Sequence, residues 1–143
     1  NPAARFNLVG LTGAINEFWS SGTLVGSVSV TGSATAYNTS SDYRLKENIE
    51  PMTGALEKVA SLKPVTYTWK EDGLGGQGFI AHELQAIIPD AVTGVKDAVD
   101  AEGNPVYQGV DTSFLVATLT AAIQEQQAMI INLQNRLAAA NIA

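Results

Sequence analysis

Apolar positions recur along the chain at three different periods. Over residues 23–36 the β-branched Val25, Val28 and Val30 stand among serines, threonines and glycines, and the spacing predicts extended chain with glycine turns. Upstream, Phe6, Leu8, Val9, Ile15, Phe18 and Trp19 add apolar and aromatic positions that argue for ordered structure. After Pro51, the helical spacing of Ala55, Leu56, Val59 and Leu62 predicts a helix over 52–62, closed by Lys63-Pro64. Val65, Tyr67 and Trp69 then alternate, which predicts a strand over 65–69. A glycine-rich turn over 72–76 leads to a second strand at 77–81, and a short helix over 82–88 is stopped by Pro89. Short strands are expected at 92–95 and 106–110, flanking a turn-rich loop at 100–105.

From Asp111, a suitable N-cap, a long helix follows. Val116, Leu119, Ile123, Gln126, Ile130, Leu133, Leu137 and Ala140 are spaced by alternating steps of three and four, which makes a heptad seam. A single amphipathic helix packed on its own domain satisfies the same pattern. The β-branched Val116, Ile123 and Ile130, with polar Gln126 on the seam, are residue choices that fix register and chain number. Only Glu125 and Arg136 are charged within 112–143, so charge pairing does not select the partner. Self-association follows, with three chains ahead of two. The expected fold class is α+β: a β-rich end over 1–40, a small globular mixed α/β core over 41–110, and a helix over 111–143 forming a trimeric coiled coil.

Composition sharpens the first segment. Fourteen of the 22 residues in 20–41 are Ser, Thr or Gly. Such low complexity suits a flexible linker; it also suits the end of a β-rich fibre in which small residues let three chains pack closely. Residues 1–40 carry only Arg5 and Glu17, so the whole net charge of −6 resides in 41–143. An acidic chain without a basic cluster is a poor partner for nucleic acid or an anionic membrane surface. The absence of cysteine and the single histidine exclude disulfide scaffolds, thiolate chemistry and histidine-rich metal centres. No cofactor or metal is expected. No uninterrupted apolar run approaches the ~20 residues of a membrane span, and no signal peptide is visible. The chain begins at Asn1 and not at methionine, which reads as a piece of a longer polypeptide.

The chemistry concentrates in Ser41-Asp42-Tyr43-Arg44-Leu45-Lys46-Glu47-Asn48-Ile49. By composition alone this is a charged helix start capped by Ser41. The stretch also resembles the start of the intramolecular chaperone auto-processing domain. That domain closes many bacteriophage tail fibres, tailspikes and endosialidases and occurs in a group of membrane-bound eukaryotic transcription factors. The shared residues continue with Pro64-Val65, Tyr67-Thr68-Trp69, Gly78-Phe79-Ile80-Ala81, Glu83-Leu84-Gln85, Pro89-Asp90-Ala91-Val92 and Tyr107-Gln108-Gly109-Val110-Asp111. The resemblance thus spans 41–143 in order.

The resemblance implies a domain that trimerises a fibre, guides folding of its β-structure and then cuts itself off before the serine. It is a self-cleaving, single-turnover serine endopeptidase of Ser-Lys type. Here the cut falls between Ser40 and Ser41, with Ser41 and Lys46 as the catalytic pair. Residues 1–40 are then the end of a fibre in the virion, and 41–143 a chaperone released in the bacterial host cytoplasm. The implied partners are two further copies and the upstream fibre of the same polypeptide. A permanently attached, non-cleaving trimerisation tip or adhesin is the alternative.

Proton transfer from Ser41 needs a neutral amine. Free lysine titrates near pH 10.4, so the mechanism calls for burial or a neighbouring cation. Arg44 is the cation at hand, unless it pairs with Asp42 or Glu47. Five residues turn about 140° around a helix and change face on a strand. Ser41 and Lys46 therefore meet only if a turn folds back between them or a second chain contributes. Ser40 is expected to supply only its carbonyl. Asp42, Arg44, Asn48, His82 and Glu83 are candidate supporting residues. Members of the resembled family often carry glutamine where His82 stands, which argues for a surface or hydrogen-bonding histidine. Glu83 is expected to support its helix or pair with a base. Tyr67, Trp69 and Phe79 read as core and interface aromatics, ahead of a carbohydrate platform.

Overall fold

The serine- and glycine-rich stretch is folded sheet, and the linker expectation is set aside. The computed structural model describes residues 12–140; Phe6, Leu8 and Val9 lie outside them. The chain divides into two units, Asn1–Glu50 and Pro51–Ala143. The first is an antiparallel meander of β1 (Gly13–Ser20), β2 (Thr23–Val30) and β3 (Thr35–Thr39), in that spatial order. Ser21 and Gly22 close the first hairpin with φ of 48° and 78°, the doubly positive geometry that matches strand twist in a two-residue turn. Thr31 closes the second turn: its N–H donates to Ala34 O at 2.9 Å, and its Oγ1 accepts from Ala34 N at 3.1 Å. Across β2 and β3, Asn38 Nδ2 donates to Ser27 Oγ and Ser29 Oγ at 3.2 and 2.9 Å. Gly26 lies between Phe18 and Thr39, and a Cβ there would come within 2.9 Å of the Asn38 carbonyl oxygen. The described residues of this unit are half-buried at most, and Trp19 and Tyr37 are 59% and 82% exposed.

The second unit holds α1 (Ala55–Ser61), the antiparallel pair β4 (Val65–Thr68) and β5 (Gly75–Gly78), and α2 (Ala81–Gln85). A 3-10 turn over Pro89–Ala91 follows, then the pair β6 (Val92–Thr93) and β7 (Gly109–Val110), and finally α3 (Leu115–Ala139). Its core is small: Leu84, Ile88, Ala91, Val92 and Leu115, flanked by Leu62, Phe79, Ala81 and Ile87. Burying each large aliphatic side chain contributes about 1.5–3 kcal/mol.

The elements are shorter than their sequence patterns. Gly75–Gly78 pair with β4, and the return strand ends before Phe79. Gly94 and Asp97, at φ of 85° and 59°, bend the chain after Thr93 and stop β6. The 100–105 loop is organised by Asp100, whose Oδ1 accepts from the N–H groups of Glu102 and Asn104 at 3.0 and 2.8 Å.

Asp111 caps a 3-10 turn over Thr112–Phe114, accepting from Ser113 N, and α3 continues from it. The expectation of a helix packed on its own domain is met by one face of α3. Leu115, Thr118 and Ala122 are buried, and the helix packs against α1. The heptad face is open: Val116 and Ile123 are 62% and 65% exposed, and Leu119, Gln126, Ile130, Leu133 and Leu137 are exposed as well. By length and composition alone Thr112–Ala139 is sufficient to cross a membrane, although it holds no uninterrupted apolar run of that length. Gln124, Glu125, Gln126, Gln127, Asn132, Gln134, Asn135 and Arg136 interrupt it. They make hydrocarbon a costly solvent for it.

Candidate active site

β3 ends at Thr39, but its hydrogen bonding to β2 continues for one residue. Ser40 N–H donates to Val25 O at 3.1 Å, and Ser40 Oγ donates to Leu24 O at 3.1 Å. Ser40 thus bonds to β2 through both its N–H and its hydroxyl. The chain then leaves the sheet through Ser41 and extended Asp42 into a 3-10 turn over Tyr43–Leu45. Leu45 N–H donates to Asp42 O and Lys46 N–H to Tyr43 O, both at 3.1 Å. Lys46 is extended again, with φ −125° and ψ 143°. One tight turn therefore separates Ser41 from Lys46, and the lysine Nζ donates to Ser41 Oγ at 2.7 Å. The fold-back required by the five-residue spacing occurs within a single chain.

The cap of this turn is Asp42, and the expectation that Ser41 would cap it is corrected. Asp42 Oδ1 accepts from Arg44 N at 2.8 Å and from Arg44 Nε at 2.9 Å, while Oδ2 accepts from Arg44 Nη2 at 2.8 Å. The Arg44 side chain, then its backbone N–H, hold the Asp42 carboxyl below the usual range. Asp42 in turn raises the guanidinium further. Arg44 is thus engaged by Asp42, the local pairing weighed against a role beside Lys46. Ser41 and Lys46 are both exposed. Asn48 adopts left-handed backbone, φ 51°, which asparagine tolerates better than most residues.

His82 and Glu83 belong to the second unit. Glu83 Oε1 accepts from Lys63 Nζ at 3.3 Å, the pairing with a base expected of it. His82 is exposed. It borders a cleft of about 700 Å3 whose walls include Tyr67, Trp69, Phe79, Tyr107 and Gln108. Tyr67 and Trp69 meet edge to face, 5.0 Å between ring centres at 84°. Gln77, His82 and Gln108 put polar groups beside these aromatics, which sequence spacing did not reveal. Among the described residues no three His, Asp or Glu side chains are placed to share a metal ion.

Residues 41–93 match the sequence model of a family described as chaperone of endosialidase and named as a peptidase. The match opens at Ser41, the residue whose hydroxyl meets Lys46. Long tail fiber protein Gp37 of Enterobacteria phage K3 is 33% identical over 103 residues, which cover 68% of this chain and 8% of that protein. Long tail fiber protein Gp37 of Enterobacteria phage T2 is likewise 33% identical over 103 residues, covering 68% of this chain and 7% of that protein. The chain thus spans a small fraction of the tail-fibre relatives it matches. The chaperone-of-endosialidase match ends at Thr93, so β7 and α3 lie beyond it.

Proposed function

We propose that this chain closes a phage tail fibre or spike. Residues 1–40 are the end of the mature fibre. Residues 41–143 are an intramolecular chaperone that trimerises, assists folding and then releases itself by cutting between Ser40 and Ser41. The 2.7 Å contact of Lys46 Nζ with Ser41 Oγ, at the first residue of the family match, carries this reading.

As a free amine, Lys46 takes the proton of Ser41 Oγ. The oxygen adds to the Ser40 carbonyl carbon, and the Ser40 C–Ser41 N bond breaks as the nitrogen takes that proton from the Lys46 ammonium. Ser40 is left as an ester on Ser41 Oγ. Water, deprotonated by Lys46, splits the ester into a Ser40 carboxylate and the Ser41 hydroxyl. Each chain turns over once because its substrate is its own backbone.

Assembly and chemistry are linked by solvent. An ammonium gives up its proton more readily out of water, and the pair is exposed in one chain. Docking of three chains supplies the cover, so cleavage waits for the trimer. The open heptad face of α3 and the exposed aromatics of the meander support such an assembly. The fibre end is carried in the virion, and the freed chaperone stays in the host cytoplasm.

Intact mass of purified 1–143 tests the proposal. Two products, one beginning at Ser41, are expected. A single uncut species means a permanently attached trimerisation tip instead.

A further inference from the structure

The carbonyl attacked in the proposed cleavage belongs to Ser40, and Ser40 is held twice. Its N–H and its Oγ donate to consecutive carbonyls of β2, those of Val25 and Leu24, both at 3.1 Å. The first bond extends the ladder beyond the Gly26–Thr39 pair. The second fixes the side chain. Two hydrogen bonds from one residue to neighbouring carbonyls restrict its rotation, and with it the range of positions open to its carbonyl carbon. On the other side of the same peptide bond, Ser41 Oγ is held by Lys46 Nζ at 2.7 Å. The acyl half of the bond is thus anchored to the sheet and the amine half to the turn.

We propose that Ser40 is a positioning and specificity-determining residue for self-cleavage. β2 is the docking strand for the residue on the acyl side, and position 40 requires a side-chain donor for full rate. This rests on the reading that the Ser40–Ser41 bond is the one cut. Productive attack depends on reacting atoms being held at near-contact distance and correct orientation. The Leu24 contact exists only when β3 pairs with β2 in the observed register. A slip of one residue would turn Ser40 to the opposite face and remove its hydroxyl from Leu24 O. Self-cleavage therefore reports that the last fibre strand is in register, and a mis-paired chain keeps its chaperone.

The experiment compares single-turnover cleavage of the full chain as wild type, Ser40→Ala and Ser40→Thr across pH, read by intact mass. Loss of one neutral hydrogen bond predicts that Ser40→Ala slows cleavage about two- to tenfold at every pH. The pH midpoint stays in place because Lys46 is untouched. Ser40→Thr, which keeps the hydroxyl, restores most of the rate. Wild-type rate in Ser40→Ala, or no rescue by threonine, overturns the proposal. A wild-type chain that stays whole overturns the cleavage reading itself. The clamp is then judged by amide hydrogen exchange in Ser41→Ala: protection at Ser40 N–H is expected, and exchange at the rate of free chain removes it. The exchange measurement also decides the matter if Ser40→Ala does not fold.

Discussion

Glu125 and Leu56, 69 residues apart in the chain, are joined by a 2.8 Å hydrogen bond from the Leu56 N–H to the Glu125 carboxylate. The other carboxylate oxygen accepts from Ala55 N at 3.1 Å. Gly54, the residue at the N-terminus of α1, has no side chain to cap it, so α3 supplies the missing acceptor. The backbone donors of Leu56, then Ala55, hold the Glu125 carboxyl below its ordinary value of 4.5. A lowered folded-state value means that the contribution is fully present above pH 4.5 and is lost as pH falls through the lower folded value. Glu125→Gln should lower the melting temperature at pH 7 by a few degrees. It should also flatten the fall in stability below pH 4.5. Thermal denaturation of both proteins from pH 7 to pH 3 measures this, and parallel curves would dismiss the cap.

Ile123 is 65% exposed in one chain, so Ile123→Asp should leave the fold of each chain intact. In a trimer it would bring three carboxylates to one axis, where each buried unpaired charge costs several kcal/mol. Sedimentation should show a shift from trimer to monomer with unchanged circular dichroism. A variant that stays trimeric would place the interface on another face.

Ser41→Ala removes the nucleophile while keeping a small side chain, and the chain should remain whole. Lys46→Ala should also block processing. Lys46→Arg should do the same, because a guanidinium does not deprotonate. Normal cleavage by Lys46→Arg, detected as the mass of a fragment starting at Ser41, would eliminate the Ser-Lys mechanism.

Shortening the chain to residues 1–128 keeps Leu115, Thr118, Ala122 and Glu125, the inner face of α3, but removes Ile130, Leu133 and Leu137 from the seam. The Ser41 and Lys46 geometry is untouched by sequence. Processing should fall sharply, and efficient cleavage by a monomer of this length would break the link between assembly and chemistry.

Leu84 is 2% exposed at the centre of a five-residue core. Leu84→Ala should cost about 2–5 kcal/mol, a large share of a small unit's stability. Urea denaturation should show a lower midpoint, and an unchanged one would mean that the core closes over the gap.

The long-period features were legible in the sequence. Helical spacing located α1 and α3, alternation located β4, and β-branched residues marked β2 within a stretch whose composition also suits a linker. The five-residue separation of Ser41 and Lys46 called for either a turn or a second chain, and Asp42 makes the turn. Contacts made at a distance left no local mark. Nothing near Glu125 announces that its carboxylate caps a helix 70 residues earlier, and nothing near Ser40 names Leu24 O as its acceptor. The shortest strands also fall short of their sequence patterns. β6 and β7 keep two residues each because the left-handed bends at Gly94 and Asp97 and the Asp100 loop divert chain that is β-branched enough to continue.

The groups on β2 that receive Ser40 are main-chain carbonyls, and every residue has one. Side chains upstream of Ser40 enter that contact only through the strand they form. A fibre end with a quite different sequence offers the same two acceptors, provided it finishes as a three-stranded meander. On the proposed reading, residues 41–143 are in that sense transplantable: recombination could join them to an unrelated shaft without redesigning the junction. Variation in the shaft could then proceed while the proposed release step stays constant.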